Sequence, residues 1–167
     1  MLESERIANE DLEIYGKFIE ELNRNNKEVI YSLAPIQKDR FFPFDAMQFK
    51  RIDASTGETI STSVIELKQR NCYIDTYETL IFDLPKLEAI QRYCREHNCN
   101  GFVVHIYKKS KAMVIHTVDR NFNYRDIAFW KDNVNKSTAN EVIKGSKLMV
   151  EIPIKDGKII DISRLFS

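Results

Sequence analysis

The stretch from residue 44 to 68 constrains the fold of this chain more than any other, because it has the pattern of a β-hairpin. Its second arm, residues 62–68, is mostly β-branched or apolar and shows no helical period. The first arm covers residues 45–52, and the polar, glycine-containing segment between the arms is typical of a turn. We therefore predict two antiparallel strands that fold about Thr56-Gly57.

Alternation along the second arm places an acid and a base on one face. Successive side chains of a strand point to opposite faces, so Glu66 and Lys68 project together. Ile65 and Leu67 face the other way and can enter a core. If the hairpin folds as predicted, Asp45 lies within a residue or two of the pairing level of Glu66 and Lys68, and directly opposed residues are about 5 Å apart. Two carboxylates and a lysine so placed can hold a hard divalent cation and polarise a water beside it.

Length and composition indicate one globular domain over residues 1–167. The chain is 43% hydrophobic and has only 5 Gly and 4 Pro, which is enough apolar material for one core. The first residues are acidic and lack the basic-then-apolar pattern of a signal peptide, and the apolar runs are too short to span a bilayer. We therefore expect a cytoplasmic protein with no membrane partner.

The three cysteines form no CxxC pair, which suits a reducing compartment better than a disulfide framework. Cys94, His97 and Cys99 are close in sequence, but a fourth ligand and a standard zinc spacing are missing. We do not expect a zinc site.

Charge is unevenly distributed although the net charge is zero. Residues 1–30 carry eight acids and four bases, whereas residues 105–147 carry nine bases and four acids. The basic segment fits a surface that follows nucleic-acid phosphates, and a solvated lysine-rich face explains it equally well. The candidate DNA-binding residues are Lys108, Lys109, Lys111 and Lys86.

One helix is predicted before the hairpin in the sequence and one after it. The first is amphipathic and covers residues 8–25, and the second begins at Asp83-Leu84-Pro85 and stops at Asn100-Gly101. Lys86 lies in the first turn of the second helix, where a cation gains nothing from the helix dipole. It could face phosphate, or it could be an ordinary exposed lysine.

The other predicted elements are a strand at 28–33, a loop over the site at 69–79, an irregular segment at 120–140, and a C-terminal hairpin of residues 147–154 and 158–163 about Asp156-Gly157.

The apolar runs at 101–107 and 112–118 predict two strands in the centre of a sheet that is buried on both faces. His105 and His116 lie within these strands. We expect both to be structural histidines with satisfied hydrogen bonds.

Asp11 lies on the apolar stripe of the first predicted helix, where a carboxylate needs a reason. One explanation is its position in the first helical turn, where the backbone dipole favours acids. The other is that Asp11 is a further metal-site carboxylate, with Glu10 as the nearest substitute. The sequence leaves both explanations open.

An acid-x-Lys triplet alone is a weak signal, because Asp156-Gly157-Lys158 also matches and falls in a predicted turn. Glu66-Leu67-Lys68 differs, since a strand context, an acid about twenty residues earlier and a preceding amphipathic helix agree. This set of features resembles the PD-(D/E)xK nuclease superfamily, with Pro43-Phe44-Asp45 and Glu66-Leu67-Lys68 as the matching motifs. Phe44 stands between the proline and the acid, a spacing that the family pattern tolerates.

The resemblance covers roughly residues 8–118 and implies a restriction-endonuclease-like α/β fold, a three-layer α/β/α core with a mixed sheet flanked by helices. Glu66-Leu67-Lys68-Gln69-Arg70, continuing to Tyr77, Thr79 and Lys86, also looks like small stand-alone nucleases of bacteriophages and mobile elements. For a phage protein, the compartment would be the host cytoplasm. The implied activity is Mg²⁺-dependent hydrolysis of DNA, with Mn²⁺ able to substitute and no small-molecule cofactor.

The resemblance also implies roles for individual residues. Asp45, Glu66 and the backbone carbonyl of Leu67 would bind Mg²⁺ together with several waters. Asp11 stands at the position of the family's acid on the first helix, where Glu is usual. Lys68 would orient the attacking water or neutralise the charge that develops on the phosphate.

Three functions remain compatible with the sequence. The first is an active DNA nuclease, including a junction- or structure-specific endonuclease that acts as a homodimer. The second is a nuclease-derived DNA-binding or recombination accessory protein without turnover. The third is a small α/β interaction module in which Asp45 and Lys68 form a structural ion pair.

Overall fold

The computed structural model describes the backbone of residues 3–36, 46–137 and 140–166, with the side chains at 3–9, 11, 133, 135–137 and 140–144 outside the description. The described elements are α1 (Glu3–Asn25), β1 (Val29–Pro35), β2 (Met47–Asp53), β3 (Thr59–Arg70), β4 (Thr79–Asp83), α2 (Leu84–His97), β5 (Asn100–Tyr107), β6 (Ala112–Val118), β7 (Phe129–Ser137), β8 (Asn140–Pro153) and β9 (Lys158–Asp161). Short 3-10 helices lie at Tyr124–Ile127, Ile154–Asp156 and Ser163–Phe166.

The described strands include a six-stranded sheet in the order β1-β2-β3-β5-β6-β9. Among its described pairs, β3 and β5 run parallel and the others run antiparallel. The β2–β3 hairpin confirms the predicted fold-back, since Met47 pairs with Ile65 and Gly57 in the turn has a φ of 75°, which glycine adopts without steric cost. The central sheet is therefore mixed, as expected.

The central sheet is covered on both faces, which gives the predicted three-layer α/β arrangement. On one face, Ile14 and Tyr15 of α1 pack with Ile65 of β3. On the other face, Leu87 of α2 belongs to a core that includes Val64 of β3. Adjacent residues of β3 thus enter opposite cores, which explains why this strand is a continuous apolar run before Glu66. Full burial of each such side chain contributes about 1.5–3 kcal/mol.

A second, three-stranded antiparallel sheet in the order β4-β8-β7 was not predicted. Leu80 and Phe82 of β4 enter the same core as α2, so this sheet lies on the α2 side of the central sheet. The segment predicted to be irregular at residues 120–140 contains a 3-10 helix and β7. That prediction was wrong because β7 pairs with β8 along a polar segment that has no strand periodicity.

The predicted C-terminal hairpin was also wrong. β8 pairs with β4 and β7, whereas β9 pairs with β6 of the central sheet. Gly157 has a φ of −91° and follows the 3-10 helix Ile154–Asp156, so the chain crosses between sheets and forms no two-residue hairpin turn. A Cβ on Gly157 would lie 2.7 Å from Val114 and 2.8 Å from the His116 ring. This glycine is needed for close packing.

The second helix begins where it was predicted to begin and ends earlier than predicted. Asp83 is its N-cap residue and Pro85 occupies the first turn. The helix ends at His97 because Asn98 adopts the left-handed conformation and its N–H bonds to the Cys94 carbonyl. No described helix is long and apolar enough to cross a bilayer.

Candidate active site

Glu66 is a charged side chain that is 5% exposed in the middle of the central sheet. It lies on β3 and faces the α2 layer, and its Oε1 atom accepts a hydrogen bond from one ammonium group and forms an ion pair with a second. Lys86 Nζ of α2 is 2.8 Å away, and Lys68 Nζ of β3 is 3.3 Å away. Burying a carboxylate costs several kcal/mol unless it is paired, so these lysines explain how Glu66 is tolerated.

The pairing depends on two different elements. Glu66 and Lys68 are two residues apart on one strand, so the pleat places them on the same face. Lys86 comes from the first turn of α2, which is held against this face by Leu87 and Ile90. The three charges line a shallow cleft whose walls are Glu66, Lys68, Phe82, Asp83, Lys86, Leu87, Ile90 and Val103.

Asp83 is a cleft residue that the sequence reasoning assigned only to helix initiation. Its carboxylate makes no capping hydrogen bond within the described residues. Its Oδ2 instead lies 3.7 Å from Lys147 Nζ of β8. Pro85 gives a partial explanation, since an N-cap side chain bonds the second or third N–H of the helix and proline at the second position has none. In the sequence, an acid two residues before a proline therefore indicates an N-cap carboxylate that can be directed elsewhere than to the helix backbone.

The two cleft lysines have pKa values shifted in opposite directions. Burial lowers the pKa of Lys68, and the nearby charge of Lys86 lowers it further, against the opposing effect of Glu66. Burial also lowers the pKa of Lys86, but the carboxylates of Glu66 and Asp83 outweigh it, so the pKa of Lys86 is raised. Lys86 is thus the firm charge partner of Glu66, and Lys68 is the lysine whose charge is harder to hold.

A second polar group lies behind the cleft, where Arg70 Nη2 is 3.0 Å from His105 Nε2. Because a guanidinium only donates, Nε2 accepts and the neutral ring carries its proton on Nδ1. Burial, with the charge of Arg70, lowers the pKa of His105 well below its usual value. His116 Nε2 donates to the Pro153 carbonyl at 3.0 Å. Among the described residues, Nδ1 of each histidine has no partner, so the prediction of satisfied histidines holds on one side of each ring.

The four lysines predicted to bind DNA occupy two separate places. Lys108, Lys109 and Lys111 lie at the β5–β6 turn, where Lys108 Nζ pairs with Glu10 at 2.6 Å and Lys109 Nζ lies 5.8 Å from the centroid of the Tyr73 ring. Lys86 lies in the cleft. Of the two alternatives given for it, an ordinary exposed lysine or a lysine that faces phosphate, the first is wrong.

The remaining predicted metal ligands are only partly described. Asp45 lies outside the described residues, and Asp11 is part of α1 with a side chain outside the description. Glu10, the substitute for Asp11, forms the ion pair with Lys108. Leu67 is half-buried on β3 and packs against the α1-side core.

The described residues alone do not make a metal site, since no group of three His, Cys, Asp or Glu residues among them could hold an ion. Mg²⁺ requires less, because it keeps several waters and is usually bound by one or two carboxylates. Glu66 supplies one carboxylate at the cleft. Asp83 lines the same cleft, and Asp45 stays the second acid that the sequence predicts.

The solved structures that are similar to this chain include a Holliday junction resolvase. No protein-family description matches the chain, and no curated protein does. A structure of Hjc, a Holliday junction resolvase from the archaeal hyperthermophile Archaeoglobus fulgidus, is similar over 92% of this chain and 98% of that one, at 11% identity and a TM-score of 0.45.

Proposed function

We propose that this chain is a Mg²⁺-dependent DNA nuclease that hydrolyses phosphodiester bonds. The main support is the position of Glu66, a buried carboxylate on the central strand β3. Glu66 lines a cleft and is paired there with Lys68 and Lys86. Carboxylates and ammonium groups that share one cleft are typical of sites that act on phosphate groups, because the acids bind metal and the lysines stabilise negative charge.

The position of Asp45 in the chain supports it as the second acid. Met47 pairs with Ile65, and its neighbour Ala46 is buried in the α2-side core. The register of the hairpin, continued by one residue, sets Ala46 opposite Glu66. The Cα atoms of Asp45 and Ala46 can be only about 3.8 Å apart, and because β2 begins at Met47, strand alternation does not fix the face to which Asp45 points. We therefore propose Asp45, Glu66 and the Leu67 carbonyl as Mg²⁺ ligands, with Asp11 as a further candidate.

The chain's own residues would perform distinct tasks. When bound, Mg²⁺ would polarise a phosphate oxygen and acidify a coordinated water. Lys86 holds the Glu66 carboxylate in one orientation and adds positive charge at the cleft. Lys68 projects from the same strand face and would orient the attacking water or neutralise the charge that develops on the phosphate.

We propose a structure- or junction-specific endonuclease as the finer assignment. A four-way junction is resolved by cuts in two strands, and the described part of each chain carries one such cleft. A junction-resolving activity would therefore require a homodimer. The lysines of the β5–β6 turn, Lys108, Lys109 and Lys111, are proposed to contact the DNA backbone away from the cleft.

A second function has one observation in its favour. Glu66 already has two ammonium partners, so its charge is compensated without a metal ion. A nuclease-derived accessory protein that binds DNA without cutting it would need no more than this. Turnover separates the two functions, because both bind DNA and only one cuts it.

The test is cleavage of linear, circular, flapped and four-way DNA in Mg²⁺, Mn²⁺ or EDTA. We expect metal-dependent cleavage by the parent and a loss of orders of magnitude in Glu66→Gln, which keeps volume and removes charge. Asp156→Asn, in the second acid-x-Lys triplet, is the matched control and should cleave like the parent. Tight DNA binding without cleavage in any metal would favour the accessory protein.

A further inference from the structure

Glu66 has two cationic partners with which a metal ion at the same carboxylate would have to compete. Its Oε1 atom accepts a hydrogen bond from Lys86 Nζ at 2.8 Å and lies 3.3 Å from Lys68 Nζ. A carboxylate binds Mg²⁺ directly, at about 2.0–2.1 Å, and an ammonium group this close to the ion is repelled by it. At least one lysine must therefore weaken its contact with Glu66 when a metal ion binds there.

Lys86 has a second acid within reach. Asp83 is the N-cap residue of α2 and Lys86 is the third residue of that helix, and side chains at these two positions are neighbours in the first turn. Both residues line the cleft together with Glu66. The negative charge of Asp83 also helps to raise the pKa of Lys86, so the two groups are close enough to interact.

The Asp83 carboxylate can accept a further ammonium group. Within the described part of the chain, its side chain makes no capping hydrogen bond. Its Oδ2 atom lies 3.7 Å from Lys147 Nζ, which is too long for a hydrogen bond. Because a carboxylate has two oxygens that accept several donors, Asp83 can bind Lys86 and keep Lys147. The Asp83 side chain is only 21% exposed, so solvent screens such an ion pair less than one on the open surface.

We propose that Asp83 is a positioning residue that receives the Lys86 ammonium group when a divalent metal ion binds Glu66, an inference that rests on the proposed nuclease function. Lys86 exchanges one carboxylate partner for the other and stays in the cleft. The exchange favours metal binding, because the cation that leaves Glu66 keeps an acidic partner. It also retains a positive charge where a phosphate group approaches the metal.

The dependence of the melting temperature on Mg²⁺ concentration measures metal binding without DNA or cleavage. Asp83→Asn keeps the size and the N-cap character of the residue and removes its charge. We expect the apparent Kd for Mg²⁺ to rise by about 2- to 5-fold, the effect of one partly exposed ion pair. Asp83→Glu keeps the charge and should bind Mg²⁺ like the parent.

Asp156→Asn is the control for the change in net charge, since Asp156 is exposed and does not line the cleft. It should leave the apparent Kd for Mg²⁺ unchanged. An Asp83→Asn variant that binds Mg²⁺ as tightly as Asp156→Asn overturns the proposal.

Lys86→Met tests whether Asp83 acts through Lys86. Methionine carries no charge, so this variant should bind Mg²⁺ more tightly than the parent, and the addition of Asp83→Asn should have little further effect. The same weakening by Asp83→Asn with and without Lys86 overturns the exchange. Complete loss of Mg²⁺ binding by Asp83→Asn in both backgrounds would assign Asp83 to the metal itself and also overturns the exchange.

DNA cleavage by the same proteins separates this inference from the proposed function. A parent that shows these effects on Mg²⁺ binding and never cuts DNA supports the exchange and refutes the nuclease. A parent that cuts DNA while the effects of Asp83→Asn and Lys86→Met on Mg²⁺ binding are independent refutes the exchange alone. A parent whose melting temperature does not respond to Mg²⁺ overturns the exchange, and its cleavage of DNA then decides the nuclease function separately.

Discussion

Replacement of each cleft lysine by methionine should have different effects on the stability of the protein. Methionine keeps a flexible apolar stem and removes the charge. Lys86 Nζ donates to Glu66 Oε1 at 2.8 Å and has a raised pKa, so its charge stabilises the fold. Lys68 lies 3.3 Å from the same oxygen and has a pKa lowered by burial, so the cost of burying its charge offsets what its ion pair contributes.

The expected magnitude follows from the geometry. A hydrogen bond to a charged group contributes about 1.5–3 kcal/mol. The Lys86 side chain is 25% exposed, so solvent screens part of this, and we expect Lys86→Met to cost about 1–2 kcal/mol. In a chain of this size each kcal/mol shifts the melting temperature by about 2–4 °C, which gives a decrease of about 2–8 °C. For Lys68→Met, the lost ion pair and the relieved burial of charge oppose each other, and the melting temperature should stay constant or rise.

Thermal unfolding at pH 7 without divalent metal is the appropriate assay. The pKa of Lys86 is higher in the folded protein than in the unfolded chain, where it is about 10.4. The charge of Lys86 therefore contributes its full stabilisation at pH 7, and this is lost only as the pH rises through the folded pKa. The Lys68 penalty is also present at pH 7 and disappears as pH rises through its lowered folded pKa. Equal decreases in melting temperature for the two variants would refute the assignment of different roles to the two lysines.

Three further predictions test other parts of the structure. His105→Gln should reduce the loss of stability between pH 7.5 and pH 5.5, because the lowered pKa of His105 gives stability above about pH 6.5 that falls as the pH drops; exposed His97→Gln is the control, and equal pH dependence contradicts the reasoning. Gly157→Ala should cost about 1–3 kcal/mol in urea unfolding because its Cβ has no room, whereas Gly16→Ala, with nothing within 4 Å, should stabilise α1 by about 0.5–1 kcal/mol; similar effects would argue against close packing at Gly157. Charge reversal of Lys109 and Lys111 to Glu should weaken DNA binding and make its dependence on salt concentration less steep. Unchanged affinity and salt dependence would show that these lysines form a solvated face without DNA contacts.

The parts of the fold that were predictable are those encoded locally. The β2–β3 hairpin, α2 and the β5–β6 pair were visible because residue alternation, turn residues and a helix start lie within a few positions of one another. The second sheet was not visible, because β4 pairs with β8 about seventy residues later and β7 has a polar sequence. Asp156-Gly157 has the composition of a tight turn, but packing against His116 determines its conformation.

The candidate site shows the same division. Glu66 and Lys68 were found because strand alternation fixes their common face. The roles of Lys86 and Asp83 in the cleft were not found, because their approach to Glu66 depends on how α2 packs on the sheet. Sequence spacing does not encode that packing. Asp45 remains a prediction from the hairpin register.

The most direct test of the central claim is Mg²⁺-dependent DNA cleavage by the parent, Asp45→Asn, Glu66→Gln and the double variant. If the two acids bind one metal, each single variant should lose orders of magnitude in rate, the double should be scarcely slower than the slower single, and Mg²⁺ should raise the melting temperature of the parent alone. A parent that never cuts DNA in any divalent metal, or an Asp45→Asn variant that cuts like the parent, would contradict the account.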